Sequence, residues 1–153
     1  PHLDIEEDEL ARIFAVNFFA VTRLTRPYLQ QMADRQSGII INMCSIASSL
    51  AGGGGSAYTA SKHALAGFTK QLALDYAKDK VQVFGIAPGA VQTGMTQKDF
   101  EPGGLADWVA DQTPIGRRSQ PSEIAELTFM LASGKLFSMQ GQIITIDGGW
   151  SLK

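Results

Sequence analysis

The sequence holds a single cysteine, Cys44, and two histidines, His2 and His63. One thiol cannot close an internal disulfide, and this set is too small for a structural zinc site. Charge is scarce as well: Asp, Glu, Lys and Arg make up 18% of the 153 residues, against an average of about 25%. Low charge implies that part of the surface is covered by other subunits. Thirteen basic and fifteen acidic side chains leave a net charge of −2, with no basic run. Nucleic acid is therefore excluded as the main partner. No apolar run approaches about 18 residues, so no membrane partner is expected. The first residues do not follow the pattern of a signal peptide. Neither Gly-x-Gly-x-x-Gly nor a Walker pattern occurs. The four glycines at 52–55 are thus read as a tight fold of a loop, not as a phosphate cradle. There is no internal repeat, low-complexity stretch or long linker. The expectation is a cytoplasmic protein with no metal. The chain begins at Pro1 rather than Met, which suggests a start within a longer gene product.

What is present is a chain that is 44% hydrophobic and long enough for one core. Residues 6–33 read as helix, with Leu10, Phe14, Asn17, Val21, Leu24 and Tyr28 at spacings of three and four. Glu6, Glu7, Asp8 and Glu9 suit its N-terminus, where the helix dipole favours negative charge. Pro27 is expected to kink or split it. Residues 39–44 form a short apolar run that reads as a central strand buried on both faces. A small-residue loop, 45–56, leads into a helix over 57–79, with Ser56 as its cap. A second strand spans 81–87 and stops at Pro88-Gly89. Residues 90–120 read as irregular, with a short helix near 104–111. A third helix starts at Pro121 and ends near Gly134. The third strand spans 142–146, before Asp147-Gly148-Gly149. Strands alternating with helices imply right-handed crossovers and a parallel sheet. Three strands are few for an independent fold, so the fold class is α/β, part of a doubly wound sheet.

Several residues could carry chemistry. Tyr58 and Lys62 stand one helical turn apart and share a face. An ammonium beside a phenol favours the phenolate, and such a phenol can pass a proton to or from an alcohol oxygen. The bland alternative is a half-buried tyrosine beside a solvated lysine. Ser45 falls at the C-terminal end of the first strand, where open α/β sheets bind ligands. Its hydroxyl could hydrogen-bond a carbonyl, although a loop serine is more often structural, and Ser48, Ser49 and Ser56 are rivals by type. Asn17 lies on the apolar stripe of the first helix and needs a partner if buried. Pro88-Gly89-Ala90-Val91-Gln92-Thr93 ends the second strand over the same crevice. Glycine there permits close approach to a ligand, and Val91 backbone groups and Thr93 could meet an amide; an ordinary turn is the competing reading. His63 is expected to face away from Lys62. Arg117-Arg118 could meet an anion, with solvent exposure the simpler reading. Cys44 is expected to pack in its strand.

Together these residues resemble the short-chain dehydrogenase/reductase family. Val16-Asn17, Ser45, Tyr58-x-x-x-Lys62, Pro88-Gly89 with Thr93, and Asp147-Gly148-Gly149 fall in family order at about family intervals. The style is similar to 3-oxoacyl-[acyl-carrier-protein] reductases, although Gly55 and Phe84 stand where that subgroup often carries glutamine and asparagine. The resemblance implies a Rossmann-like fold and NADP- or NAD-dependent interconversion of a ketone and a secondary alcohol. It implies that Tyr58 is the general acid, that Lys62 favours the phenolate and holds the nicotinamide ribose, and that Ser45 polarises the carbonyl. Asn17 would anchor a water in a proton relay. Val91 and Thr93, beside Pro88 and Gly89, would bind the nicotinamide carboxamide, with Tyr58 and Lys62 also touching the cofactor. Residues 94–115 would form a mobile substrate loop. A small-molecule substrate and a homodimer or homotetramer, built through helices 6–33 and 57–79 and the last strand region, are the implied partners. The glycine-rich turn that seats the pyrophosphate, and the residue that selects NAD or NADP, are not among these residues. The chain would then be the C-terminal catalytic part, 1–153, of one such domain. The alternative is an inactive fragment that keeps only the oligomerisation surfaces; the isolated chain is expected to bind cofactor weakly and to be inactive.

Overall fold

A computed structural model describes residues 2–51, 54–94, 96, 101 and 104–152. Its centre is a parallel sheet of three strands: β1 (Gly38–Met43), β2 (Val81–Pro88) and β3 (Ile143–Ile146), in the order β1-β2-β3. Gly38 pairs with Val81 and Met43 with Ile86; Gly85 pairs with Ile143 and Pro88 with Ile146. The helices are α1 (Glu7–Phe14), α2 (Ala20–Asp34), α3 (Gly55–Tyr76), α4 (Ala106–Gln112) and α5 (Pro121–Ala132).

The central strand is β2, whose alternating side chains feed two apolar layers. Val81 and Val83 pack with Leu29 of α2 and Leu72 and Ala73 of α3. Phe84 and Ile86 point the other way, against Ile124 and Leu131 of α5. The strand is buried on both faces because helices cover both. The expectation of a central β1 is corrected: it lies at the sheet edge and is only partly buried, with Met43 46% exposed. Its apolar run is like that of a buried strand, but among the described residues no strand pairs with its outer edge.

Pro27 does not split the first helical region. Helix α2 runs through it. Pro27 and Arg23 are both exposed, so water can reach the carbonyl that the missing N–H leaves free. Leu29 and Met32 pack on the core in the turn that follows. The irregularity falls earlier, as one π-helical turn over Ala15–Phe19. The cap of α3 is also not Ser56. Gly54, at φ +85°, takes that position, and Ser56 lies within the first turn with Oγ 3.2 Å from His2 Nδ1. Arg118 is buried rather than solvated, while Arg117 pairs with Glu123. The long connection after β2 is drawn back to the sheet where Ser119 N donates to Ala90 O at 3.0 Å and Gln92 N donates to Ser119 O at 3.0 Å.

Candidate active site

The C-terminal ends of β1 and β2 point the same way, because parallel strands must. Ser45 follows β1 directly and opens a short turn over Ile46–Ser48. Its Oγ accepts from Ala47 N at 3.1 Å, and its own N donates to Ser48 Oγ at 3.2 Å. These contacts fix the rotamer and leave the hydroxyl proton of Ser45 available. Ser48 is thereby committed to the turn, and Ser49 Oγ donates to Ile46 O.

Tyr58 sits in the first turns of α3. The entry to that helix is shaped around its ring: a Cβ on Gly54 would lie 2.6 Å from Tyr58 Cδ1. One turn on, Lys62 reaches back across β1 and its Nζ donates to Met43 O at 2.9 Å. The same Nζ lies 5.7 Å from the centroid of the Tyr58 ring. Burial pushes the Lys62 ammonium below its ordinary value, against a smaller opposing pull from Cys44. Burial likewise pushes the Cys44 thiol up, and Cys44 packs among Leu65, Ala66 and Ala87.

Asn17 lies in the π turn, not in regular α-helix. Its Nδ2 donates to Ser61 Oγ at 3.1 Å, and Ser61 Oγ donates to Tyr58 O at 2.7 Å. A π turn inserts an extra residue, and such turns often occur at functional sites. Here the turn carries Asn17 to the buried face of α3, so the amide braces the backbone that carries Tyr58. Ser61 is the link that the sequence reading missed; its position three after Tyr58 on the apolar side of a helix was the available signal. His63 faces outward, with Nδ1 3.0 Å from Thr59 O.

Two clefts meet the strand ends. One, of about 510 Å³, is lined by Ser45, Tyr58, Gly89 and Ala90, and by Trp108 of α4 and Trp150. The other, of about 660 Å³, lies between the strand ends and α5 and includes Met43, Pro88, Val91 and Thr93. Gly89 makes the shared rim possible: a Cβ there would fall 2.7 Å from Asp147 Cβ and 3.0 Å from its Cα. Thr93 and Val91 are held by Thr96, whose Oγ1 donates to Val91 O at 2.9 Å and accepts from Thr93 N at 3.0 Å. Of the segment 94–115 read as a substrate loop, residues 95, 97–100, 102 and 103 lie outside the described residues. Its described part includes α4, which carries Trp108 and Val109 to the cleft. Neither tryptophan was singled out in the sequence, although they are its only two. Their rings meet edge to face at 5.9 Å. Arg117 and Arg118 line neither cleft. Among the described residues, no group of three His, Cys, Asp or Glu side chains could hold a metal.

A phenol and a hydroxyl in one cleft, with an ammonium beside the phenol, can polarise a carbonyl and exchange a proton with its oxygen. Comparison with known proteins shows the family. Residues 1–151 match the family described as enoyl-(acyl carrier protein) reductase. The chain belongs to the short-chain dehydrogenase/reductase family. It is 36% identical over 152 residues to the glucose and ribitol dehydrogenase homolog of Oryza sativa, covering 95% of this chain and 50% of that protein. It is 35% identical over 154 residues to 3β-hydroxysteroid dehydrogenase 2 of Eggerthella lenta, covering 99% and 59%. A gluconate 5-dehydrogenase from Burkholderia cenocepacia, solved in complex with NADP and tartrate, superposes with a TM-score of 0.94 at 31% identity, covering 100% of this chain and 60% of that one. The chain therefore spans between half and three-fifths of the length of these short-chain dehydrogenases.

Proposed function

We propose that this chain is the C-terminal catalytic and substrate-binding part of a Rossmann-fold domain that interconverts a ketone and a secondary alcohol with NADP or NAD. The observation that carries the reading is the presence of Ser45 and Tyr58 in one cleft, with Lys62 one turn behind the phenol. The residues present suit the nicotinamide end of the cofactor. Pro88, Val91 and Thr93 border an apolar space wide enough for a flat ring, and Gly89 brings β2 close without a side chain in the way. When bound, the reduced cofactor supplies the hydride. Ser45 Oγ donates a hydrogen bond to the carbonyl oxygen, drawing charge onto it. Tyr58 gives its hydroxyl proton to that oxygen as the alcohol forms, and takes it back in the reverse direction. Lys62 Nζ, 5.7 Å from the centroid of the Tyr58 ring, sets a positive charge beside it. Asn17, through Ser61, keeps Tyr58 in place.

The relatives carry names that point to sugar alcohols, hydroxysteroids and gluconate. A 3-oxoacyl-[acyl-carrier-protein] reductase-like activity is the finer form of the reading, and Gly55 and Phe84 weigh against it. The proposed setting is the cytoplasm; no helix among the described residues is long and apolar enough to cross a membrane. The proposed assembly is a homodimer or homotetramer through α1–α2, α3 and the region of β3.

The test is NADPH- and NADH-dependent ketone reduction by the purified protein and by Tyr58→Phe. The variant is expected to lose activity by a factor of about 10² to 10⁴ with its thermal unfolding unchanged. Retained turnover would remove Tyr58 from the mechanism. The second reading, an assembly module without turnover, is favoured by the exposed apolar side chains Val16, Leu24, Leu74 and Phe129. Intact mass separates the two. A species at 16.4 kDa that associates without turnover supports the second, and a heavier species with turnover supports the first.

A further inference from the structure

The cleft around Ser45 and Tyr58 is poor in polar partners. Its other walls are Ile46, Leu50, Val109, Trp108 and Trp150, and no charged side chain lines it among the described residues. Of the three hydroxyls that reach it, that of Thr96 is spent within the loop, donating to Val91 O and accepting from Thr93 N. Only the Ser45 and Tyr58 hydroxyls remain, and both are needed at the reacting carbonyl. The charged residues of α4 are Asp107 and Asp111, both exposed and both acidic. The nearest arginines in the chain are not available either: Arg117 grips Glu123 with both its Nη atoms, at 2.8 and 3.0 Å, and Arg118 is buried away from the cleft. Trp108 is 54% exposed although it is among the largest apolar side chains. With Trp150, which its ring meets edge to face, it lines the cleft.

A substrate with a carboxylate or several hydroxyls would lose part of its hydration here and meet no charged side chain among the described residues. An apolar body would gain by covering the two indoles. A volume of about 510 Å³ falls in the range of drug-sized pockets, larger than a small diketone needs. Resting on the reductase reading above, we infer that the cleft selects an uncharged ketone or secondary alcohol with an apolar carbocyclic body. Trp108 and Trp150 favour that choice through the apolar area they offer.

The two tryptophans are the only ones in the sequence, so intrinsic fluorescence reports on this cleft alone and needs no cofactor or turnover. The purified chain is titrated with 4-tert-butylcyclohexanone and with 4-oxocyclohexanecarboxylate, which share a ring ketone and differ in the far substituent. The apolar ketone is expected to give a saturable change at a Kd at least about tenfold lower than the carboxylate, the scale of a few buried methyl groups. Trp108→Ala should weaken the apolar ketone by about tenfold, and Leu50→Arg should reverse the order of the two ligands. Equal or tighter binding of the carboxylate by the unmodified chain overturns the inference, as does the lack of a saturable response to either ketone. A failure here leaves the role of Tyr58 standing. Retained turnover in Tyr58→Phe would do the opposite, removing the reductase reading while leaving the binding preference.

Discussion

At the scale of residues, two glycines shape the site by what they omit. Gly54 takes a left-handed conformation and leaves room for the Tyr58 ring. Gly89 keeps an ordinary conformation but lies against Asp147. Asp147 is itself held: Oδ1 accepts from Gly149 N at 2.9 Å and Oδ2 from Ser151 N at 2.8 Å. Burial alone would push the Asp147 carboxyl up, but hydrogen bonds from Ser151 and Gly149 outweigh it and hold the group below its usual value. A side chain so anchored cannot yield. Gly89→Ala is therefore expected to cost about 1–3 kcal/mol, the usual penalty for overpacking, read as a lower urea midpoint. Asn17 makes a smaller contribution. Asn17→Ala removes one donor to Ser61 Oγ and should lower stability by about 1 kcal/mol.

Among the elements, α5 shows how a helix start responds to acid. Gln120 and Glu123 form a reciprocal cap, with Glu123 Oε2 accepting from Gln120 N at 2.7 Å. The same carboxylate takes two hydrogen bonds from Arg117. Hydrogen bonds from the Arg117 guanidinium, and then from the Gln120 backbone, lower Glu123 from 4.5 to about 2. A carboxyl lowered on folding stabilises the fold fully above its unfolded value and loses that contribution as pH falls toward the folded one. This contribution should fade between pH 4.5 and about 2. Glu123→Gln should flatten that part of the stability profile, and urea midpoints taken across the window check it. The sign is fixed: a Glu123→Gln variant that gained as much stability as the unmodified protein on raising the pH through this range would contradict the pairing.

The whole molecule is organised around β2. Phe84 is fully buried between the sheet and α5, so Phe84→Ala is expected to cost about 3–5 kcal/mol, measured by chemical unfolding. The outside is less finished. Leu24 on α2, Leu74 on α3 and Phe129 on α5 are each at least 65% exposed. Where such groups form a contiguous patch they mark a surface that meets another molecule, and the proposed assembly would cover them. Sedimentation at increasing concentration is expected to show association, and Leu74→Asp should move the equilibrium toward the monomer. A chain that stays monomeric throughout would remove the proposed assembly.

The sequence by itself determined the order of elements and most of the residues proposed for the site. Alternating helix and strand patterns located β1, β2, β3 and α5 to within a residue or two, because burial period and Pro-Gly punctuation are local properties. Ser45, Tyr58 and Lys62 were legible because strand-end position and helical spacing are local too. The rest depended on distant partners. Whether an apolar strand is central or at an edge is decided by its neighbours, and among the described residues β1 has a neighbour on one side only. Pro27 was expected to kink or split its helix, and α2 runs through it unsplit. Arg118 was assigned to solvent because nothing nearby in sequence signals its burial. Trp108 and Trp150 stand 42 positions apart in the chain, and only folding brings them to one cleft with Tyr58. The residues of the proposed chemistry therefore lie in short spacings, while the walls of their cleft come from segments joined by tertiary packing.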